Sequence, residues 1–143
     1  MIKFFEEFKK NKKRREALVN LYQETEKNLE SCYVMQQRGV LEKFRLEAWR
    51  GLTPDCDIHF SVSVMDCVRA VEDYNAAMDD FKNYERWYAA SLDNKTQENA
   101  RILHGKKEAV EIKFKGMLGV VKPAVDALAQ QLEELKIPKP KQR

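Results

Sequence analysis

Glycine and proline are scarce in this 143-residue chain, which has five of the first and four of the second. Since these residues interrupt regular structure, their scarcity favours long helices. Uncharged runs are short as well, and the longest covers eight residues from Ile58 to Met65. A membrane-spanning helix needs about 20 apolar residues. The sequence therefore excludes such a helix, and we expect no signal peptide because no uncharged apolar run follows the basic first residues.

Cysteine and histidine are also rare, with three and two copies. An odd number of cysteines does not suit a disulfide framework, so we expect reduced thiols and a cytoplasmic location. Cys56, His59 and Cys67 supply three potential zinc ligands, whereas a structural site normally has four. We find no glycine-rich phosphate loop and no paired nucleophile and base. We therefore expect no metal, cofactor or catalytic residue, with an enzyme that has an unrecognised site as an alternative.

Strongly apolar residues are present in sufficient number for a folded core. Leu, Ile, Val and Phe together account for 35 of the 143 residues, which exceeds the roughly 20% typical of disordered chains. Their spacing at three and four residues indicates helices. The first helix is predicted over 2–38, and a short helical piece within 40–50. The second begins after a Ser63 cap and ends near Ser91. The third begins after Thr96 and kinks at Pro123.

These patterns predict an all-α protein, an antiparallel up-down bundle of three long helices plus a short helical piece near residues 40–50. We expect one domain over 1–143, an amphipathic basic segment at 1–15 and a mobile basic tail at 137–143. The expected common core consists of Leu21, Leu29, Val68, Val71, Met78, Phe81, Leu103, Val110, Phe114, Val121 and Leu128.

Charge is distributed unevenly along the chain, whose net charge is +3. Residues 1–15 contain seven basic and two acidic groups, and residues 136–143 contain four basic groups and no acid. The body between them, residues 16–135, is therefore net acidic, at −6. Basic ends on an acidic body are typical of solvated termini, but they also suit an anionic partner.

The first fifteen residues carry the sharpest functional signal. Phe4, Phe5 and Phe8 share one helical face, and the apolar stripe then lapses at Asn11 and Arg15. The basic groups that follow the phenylalanines are Lys9, Lys10, Lys12, Lys13, Arg14 and Arg15. Three interpretations stay open: packing on a bundle end or another subunit, insertion into an anionic membrane surface, or contact with another protein. Nucleic acid is disfavoured because the body is acidic.

Aromatic residues cluster again near the end of the second long helix, where Trp87 lies off the centre of the stripe and is a candidate interface residue. The sequence thus favours a non-catalytic interaction or scaffold protein that associates with itself or with a protein partner. The alternative is a peripheral protein of an anionic membrane surface, anchored by residues 1–15.

Overall fold

The computed structural model describes residues 2–56 and 58–135 and folds them into α-helices without a β-strand. The predicted all-α bundle with three long helical segments is confirmed. The predicted tail at 137–143 lies outside the described residues. The helices are α1 (Ile2–Arg38), α2 (Glu47–Arg50), α3 (Val62–Ala90), α4 (Gln97–Lys115) and α5 (Met117–Glu134).

One continuous apolar core joins α1, α3, α4 and α5. Val71, Val121, Leu128 and Leu132 are completely buried there. Of the eleven side chains expected in the core, eight are buried, and the other three pack against it while partly exposed. The helical periodicity of the sequence therefore located the core correctly, because each long helix buries a single stripe.

The direction of each helix follows from its contacts. Gln131 of α5 donates a hydrogen bond to the carbonyl of His59, just before α3, and Lys106 of α4 pairs with Asp80 of α3. The segment α4–α5 thus runs antiparallel to α3. Leu18 of α1 lies beside Gln131 and Leu135, at the end of α5. Tyr22, one turn further along α1, lies near Asp126 of α5, whose charge contributes to raising the pKa of the tyrosine. Because the later residue of α1 lies beside the earlier residue of α5, α1 is antiparallel to α5 as well.

Helices α1 and α3 consequently run in the same direction, whereas an up-down order would make them antiparallel. The return is made by residues 39–61, which we call the crossover. It leads back along α1, from Glu42 beside Met35 to Cys56 beside Arg14. Gly39 starts this reversal with a φ of +70°, a left-handed conformation that favours glycine.

Two asparagines clamp the crossover from both sides. The amide of Asn28 on α1 donates to the carbonyl of Arg45 and accepts from its N–H, both at 2.9 Å. Asn75 on α3 makes the same pair of bonds to Phe44, at 3.0 and 2.9 Å. An extended segment has no main-chain partners of its own, and these amides supply them. Phe44 is thereby held buried against the core.

Two further side chains complete this arrangement. A carboxylate oxygen of Glu24 accepts from the N–H of Ala48 at 2.9 Å, and the hydroxyl of Tyr74 donates to the carbonyl of Glu42 at 2.8 Å. The short helical piece expected within 40–50 is present, but these bonds hold residues 39–46 outside any helix. It is therefore confined to α2, Glu47–Arg50.

Helix boundaries agree with the sequence in part. The first helix covers the predicted residues, and the Thr96 hydroxyl caps α4 by accepting from the N–H of Asn99. The predicted Ser63 cap is wrong, because Ser61 accepts from the N–H of Val64 and α3 begins two residues earlier than expected. The last helix is interrupted at Gly116, whose N–H bonds to the carbonyl of Lys113, and Pro123 lies inside α5.

We predict that Asn75→Ala lowers the free energy of unfolding by about 2–5 kcal/mol, because it leaves the buried N–H and C=O of Phe44 without partners, at about 1–3 kcal/mol each. Asn83→Ala, on the exposed side of α3, is the control and should change stability by less than about 0.5 kcal/mol. Equilibrium unfolding in urea measures both. Equal effects of the two substitutions would contradict the clamp.

Candidate interaction surface

Two of the three thiols, those of Cys32 and Cys67, lie in the apolar core, whereas Cys56 lines a small pocket within the crossover. All three cysteines are free and buried. Burial raises the pKa of Cys32 to about 11, and burial together with the nearby Cys32 raises the pKa of Cys67 to about 12. Burial likewise raises the pKa of Tyr74, assisted by Cys32 and Glu42. Since a thiolate is the nucleophilic form, these thiols are held in their unreactive state.

The potential zinc ligands of the sequence are separated in the fold. Cys67 faces Cys32 in the core, whereas Cys56 lies in a short turn beside the hydroxyl of Thr53, at 3.5 Å. Within residues 2–56 and 58–135, no three His, Cys, Asp or Glu side chains lie close enough together to hold a metal ion.

The first turns of α1 extend beyond the end of the bundle. We call residues 2–13 the arm, and every side chain from Lys3 to Lys13 is exposed. Phe4, Phe5 and Phe8 are 70%, 61% and 60% exposed. The described residues therefore do not show the packing of these rings on the end of their own bundle.

Most of the phenylalanine face lies to one side of the face that α1 turns toward the core. At about 100° per residue, the buried face around Leu21 extends back to Lys3, Glu7, Lys10 and Arg14. Relative to Leu21, the side chains of Phe4, Phe8 and Phe5 lie roughly 100°, 140° and 160° round the helix. Phe4 is thus in line with the buried Tyr22, at the edge of the core face. A helix packed along the core face would therefore cover Phe4 at most and leave Phe5 and Phe8 exposed.

The basic residues divide into two groups. The side chain of Arg14 is half-buried and donates from Nε to the carbonyl of Cys56 at 3.3 Å, so it joins α1 to the crossover. The other basic residues predicted for this surface are exposed: Lys9, Lys10, Lys12, Lys13 and Arg15. Arg14 thus serves the fold, and the remaining cations surround the arm.

A groove of about 280 Å³ lies at the base of the arm, between α1, the crossover and the end of α5. Arg14, Leu18 and Leu135 form part of its wall. Gln131 donates to the carbonyl of His59 at 2.9 Å, while its Oε1 is buried without a hydrogen-bond partner among the described residues. Sequence reasoning missed this groove, because its residues come from three distant segments.

A second exposed surface lies at the opposite end of the molecule. Residues 84–103, which we call the hairpin tip, join α3 to α4, and Trp87, Leu92 and Ile102 are 47%, 84% and 41% exposed there. The indole of Trp87 packs on Tyr84 with ring centroids 5.3 Å apart. Its carbonyl accepts from the amide of Asn94 at 2.7 Å, so the turn fixes its position.

Comparisons with known protein families, with curated proteins and with solved structures find no match to this chain. Among its described helices, none combines the length and the apolar character that crossing a membrane requires.

We predict that stability falls as the pH rises above 9, because unfolded thiols lose their proton near 9.0 whereas folded Cys32 and Cys67 keep theirs to about 11 and about 12. In that window the folded chain binds more protons, which removes up to about 1.4 kcal/mol per pH unit and thiol. Urea unfolding against pH should show this slope, and Cys32→Ala with Cys67→Ala should reduce it, while the raised pKa of Tyr74 preserves part of the slope above pH 10. An unchanged slope in that variant would disprove the assignment.

Proposed function

We propose that this chain is a non-catalytic interaction protein whose principal binding surface is the arm. The observation that carries the proposal is the exposure of Phe4, Phe5 and Phe8 on a helix that has left the bundle. Large aromatic side chains held in water on one face gain free energy when a partner covers them, and aromatic residues are frequent anchors of interfaces.

The separation of the arm from the core supports this role. The bundle buries α1 from Leu18 onward, and the core contains no residue of the arm. A partner can therefore engage the arm without opening the bundle. Because α1 is one unbroken helix over Ile2–Arg38, the arm is already in its helical form before binding, which reduces the entropic cost of association.

A non-catalytic role is supported by the location of the groups whose pKa is displaced. Enzymes place such groups in clefts, where a substrate can reach them. Here Cys32, Cys67 and Tyr74 are buried among apolar side chains, and the tyrosine hydroxyl is occupied by the carbonyl of Glu42. They serve packing and the clamp of the crossover.

Self-association is a second candidate, and the hairpin tip favours it. Trp87 and Leu92 are exposed apolar groups, and the hydrogen bond from Asn94 to the Trp87 carbonyl holds the turn beside the indole in place. Two tips in contact would bury both side chains. The tip and the arm lie at opposite ends of the bundle, so each can bind without blocking the other.

A photoreactive phenylalanine analogue at position 5 tests the principal proposal in the full-length chain. Illumination of cells that produce the chain should attach a protein or lipid to position 5. The same analogue at Ile112, which is equally exposed on α4, is the matched control and should give little product. Equal yields at the two positions would show that the arm is not a preferred binding surface.

Light scattering across a range of concentrations tests self-association. The wild-type mass should rise above that of one chain, and Trp87→Ser with Leu92→Ser should restore it to one chain at unchanged helicity, because the variant loses its apolar contact. Ile112→Ser is the control and should keep the wild-type mass. A wild-type chain that stays monomeric at every concentration contradicts a role of the hairpin tip in association.

A further inference from the structure

We propose that the partner of the arm is an anionic membrane surface, so that this chain is a peripheral lipid-binding protein. The inference rests on the proposed function, because it names the partner of the same arm. Four features of the described residues carry it: the depth of the phenylalanine face, the positions of the charges, the abrupt end of the apolar stripe and the distance from the acidic body.

The phenylalanine face suits shallow insertion. It occupies two turns, and the rings of Phe4 and Phe5 meet edge to face with centroids 6.2 Å apart. Interfacial helices bury an apolar face only about 5–10 Å into the boundary between headgroups and acyl chains. Three aromatic rings on two turns are enough for that depth and far too few for a span.

The charges of the arm are arranged for contact with phosphate. Glu6 lies about 160° round the helix from Phe4 and Phe8, so its charge points away from the inserted face. Glu7 lies about 60° from Phe4 and stands at the edge of that face. Lys12 and Arg15 are exposed and follow the phenylalanines on the same face. If the aromatic rings insert among the acyl chains, the cations that follow them along the helix lie at the level of the anionic headgroups.

A second copy of the arm is a poor occupant of the same face. Coiled-coil partners require apolar residues every three to four positions over several heptads. In the arm, Lys12 and Arg15 occupy the positions where the next apolar residues would stand. Two arms would also bring together segments of net charge +5 each, counted over residues 1–15, and these repel.

The acidic body favours an orientation with the arm toward the membrane. Ten residues of helix extend about 15 Å, which exceeds the Debye length of about 8 Å at physiological ionic strength. The outer part of the arm therefore keeps its attraction to an anionic surface, while residues 16–135, at net −6, are held away from it. Leu135 lies at the base of the arm, and the next eight residues of the sequence add four basic groups.

Co-sedimentation of the full-length chain with lipid vesicles tests the proposal. The chain should bind vesicles of phosphatidylcholine mixed with phosphatidylserine. Its affinity for vesicles of phosphatidylcholine alone should be lower by about tenfold or more. Binding to the mixed vesicles should weaken as salt is added, because each cation near a charged surface is screened.

Two variants with matched controls separate the apolar contribution from the charge contribution. The apolar variant changes Phe4, Phe5 and Phe8 to Ser together. Because each substitution removes one apolar anchor, the affinity of this triple variant for the mixed vesicles should fall by about tenfold or more. Its control changes the similarly exposed Val40, Val62 and Ile112 to Ser.

The charge variant changes Lys9, Lys10, Lys12 and Arg15 to Gln and should lose about tenfold or more. Its control makes the same net change in the body, at Lys107, Lys113, Lys115 and Lys122, which are also exposed. Both controls should bind within about twofold of the wild type. Circular dichroism and thermal melting should show that all four variants stay folded.

Each remaining outcome overturns the proposal. If the wild type fails to bind anionic vesicles at low salt, the lipid is not the partner of the arm. If position 5 still cross-links to a protein in that case, the proposed function stands with a protein partner. Loss of binding in the charge variant but not in the phenylalanine variant would describe a segment that binds any polyanion, nucleic acid included. Equal losses of vesicle binding in the variants and in their controls would show that the arm is not the segment that contacts the membrane.

Discussion

The fold depends on satisfying the main chain of the crossover, which passes between the long helices. Outside α2 and the 3-10 helix Pro54–Cys56, its described residues lie in neither a helix nor a strand, and a buried N–H or C=O without a partner costs about 1–3 kcal/mol. Asn28 and Asn75 meet this requirement by presenting one donor and one acceptor each to Arg45 and Phe44. With the crossover fixed between them, α1 and α3 are held parallel, and α5 fills the space along both.

The exposed surfaces follow from this connectivity. Among the described residues, the crossover meets the early part of α1 at the contact between Arg14 and Cys56, and α3 begins shortly after it. Nothing described lies beside the first turns of α1, so Phe4, Phe5 and Phe8 are left in water. At the other end, Lys43 pairs with Asp79 at 2.9 Å where the crossover turns back from α1. The rest of α3 pairs with α4 and ends in the turn beside Trp87.

Periodicity predicted the helices and most of the core, because burial of one stripe repeats along a helix and is visible locally. It could not predict the crossover. Asn75 interrupts the stripe of α3, and nothing nearby in the sequence shows that its amide binds the main chain of Phe44, 31 residues away. At Ser61 and Ser63, two equivalent caps stand two residues apart, and only packing of the helix decides between them. The lapse of the stripe at Asn11 and Arg15 did indicate where the arm leaves the bundle.

The placement of the arm and the hairpin tip at opposite ends makes the bundle a spacer of fixed length. From Phe8 to Arg38, α1 rises about 45 Å, and α3 continues past Asp79 for roughly 15 Å more before the chain turns. Anything held at the tip therefore stands about 60 Å from whatever the arm contacts. A helical rod resists compression and bending over such a distance, so the two exposed surfaces keep a fixed separation.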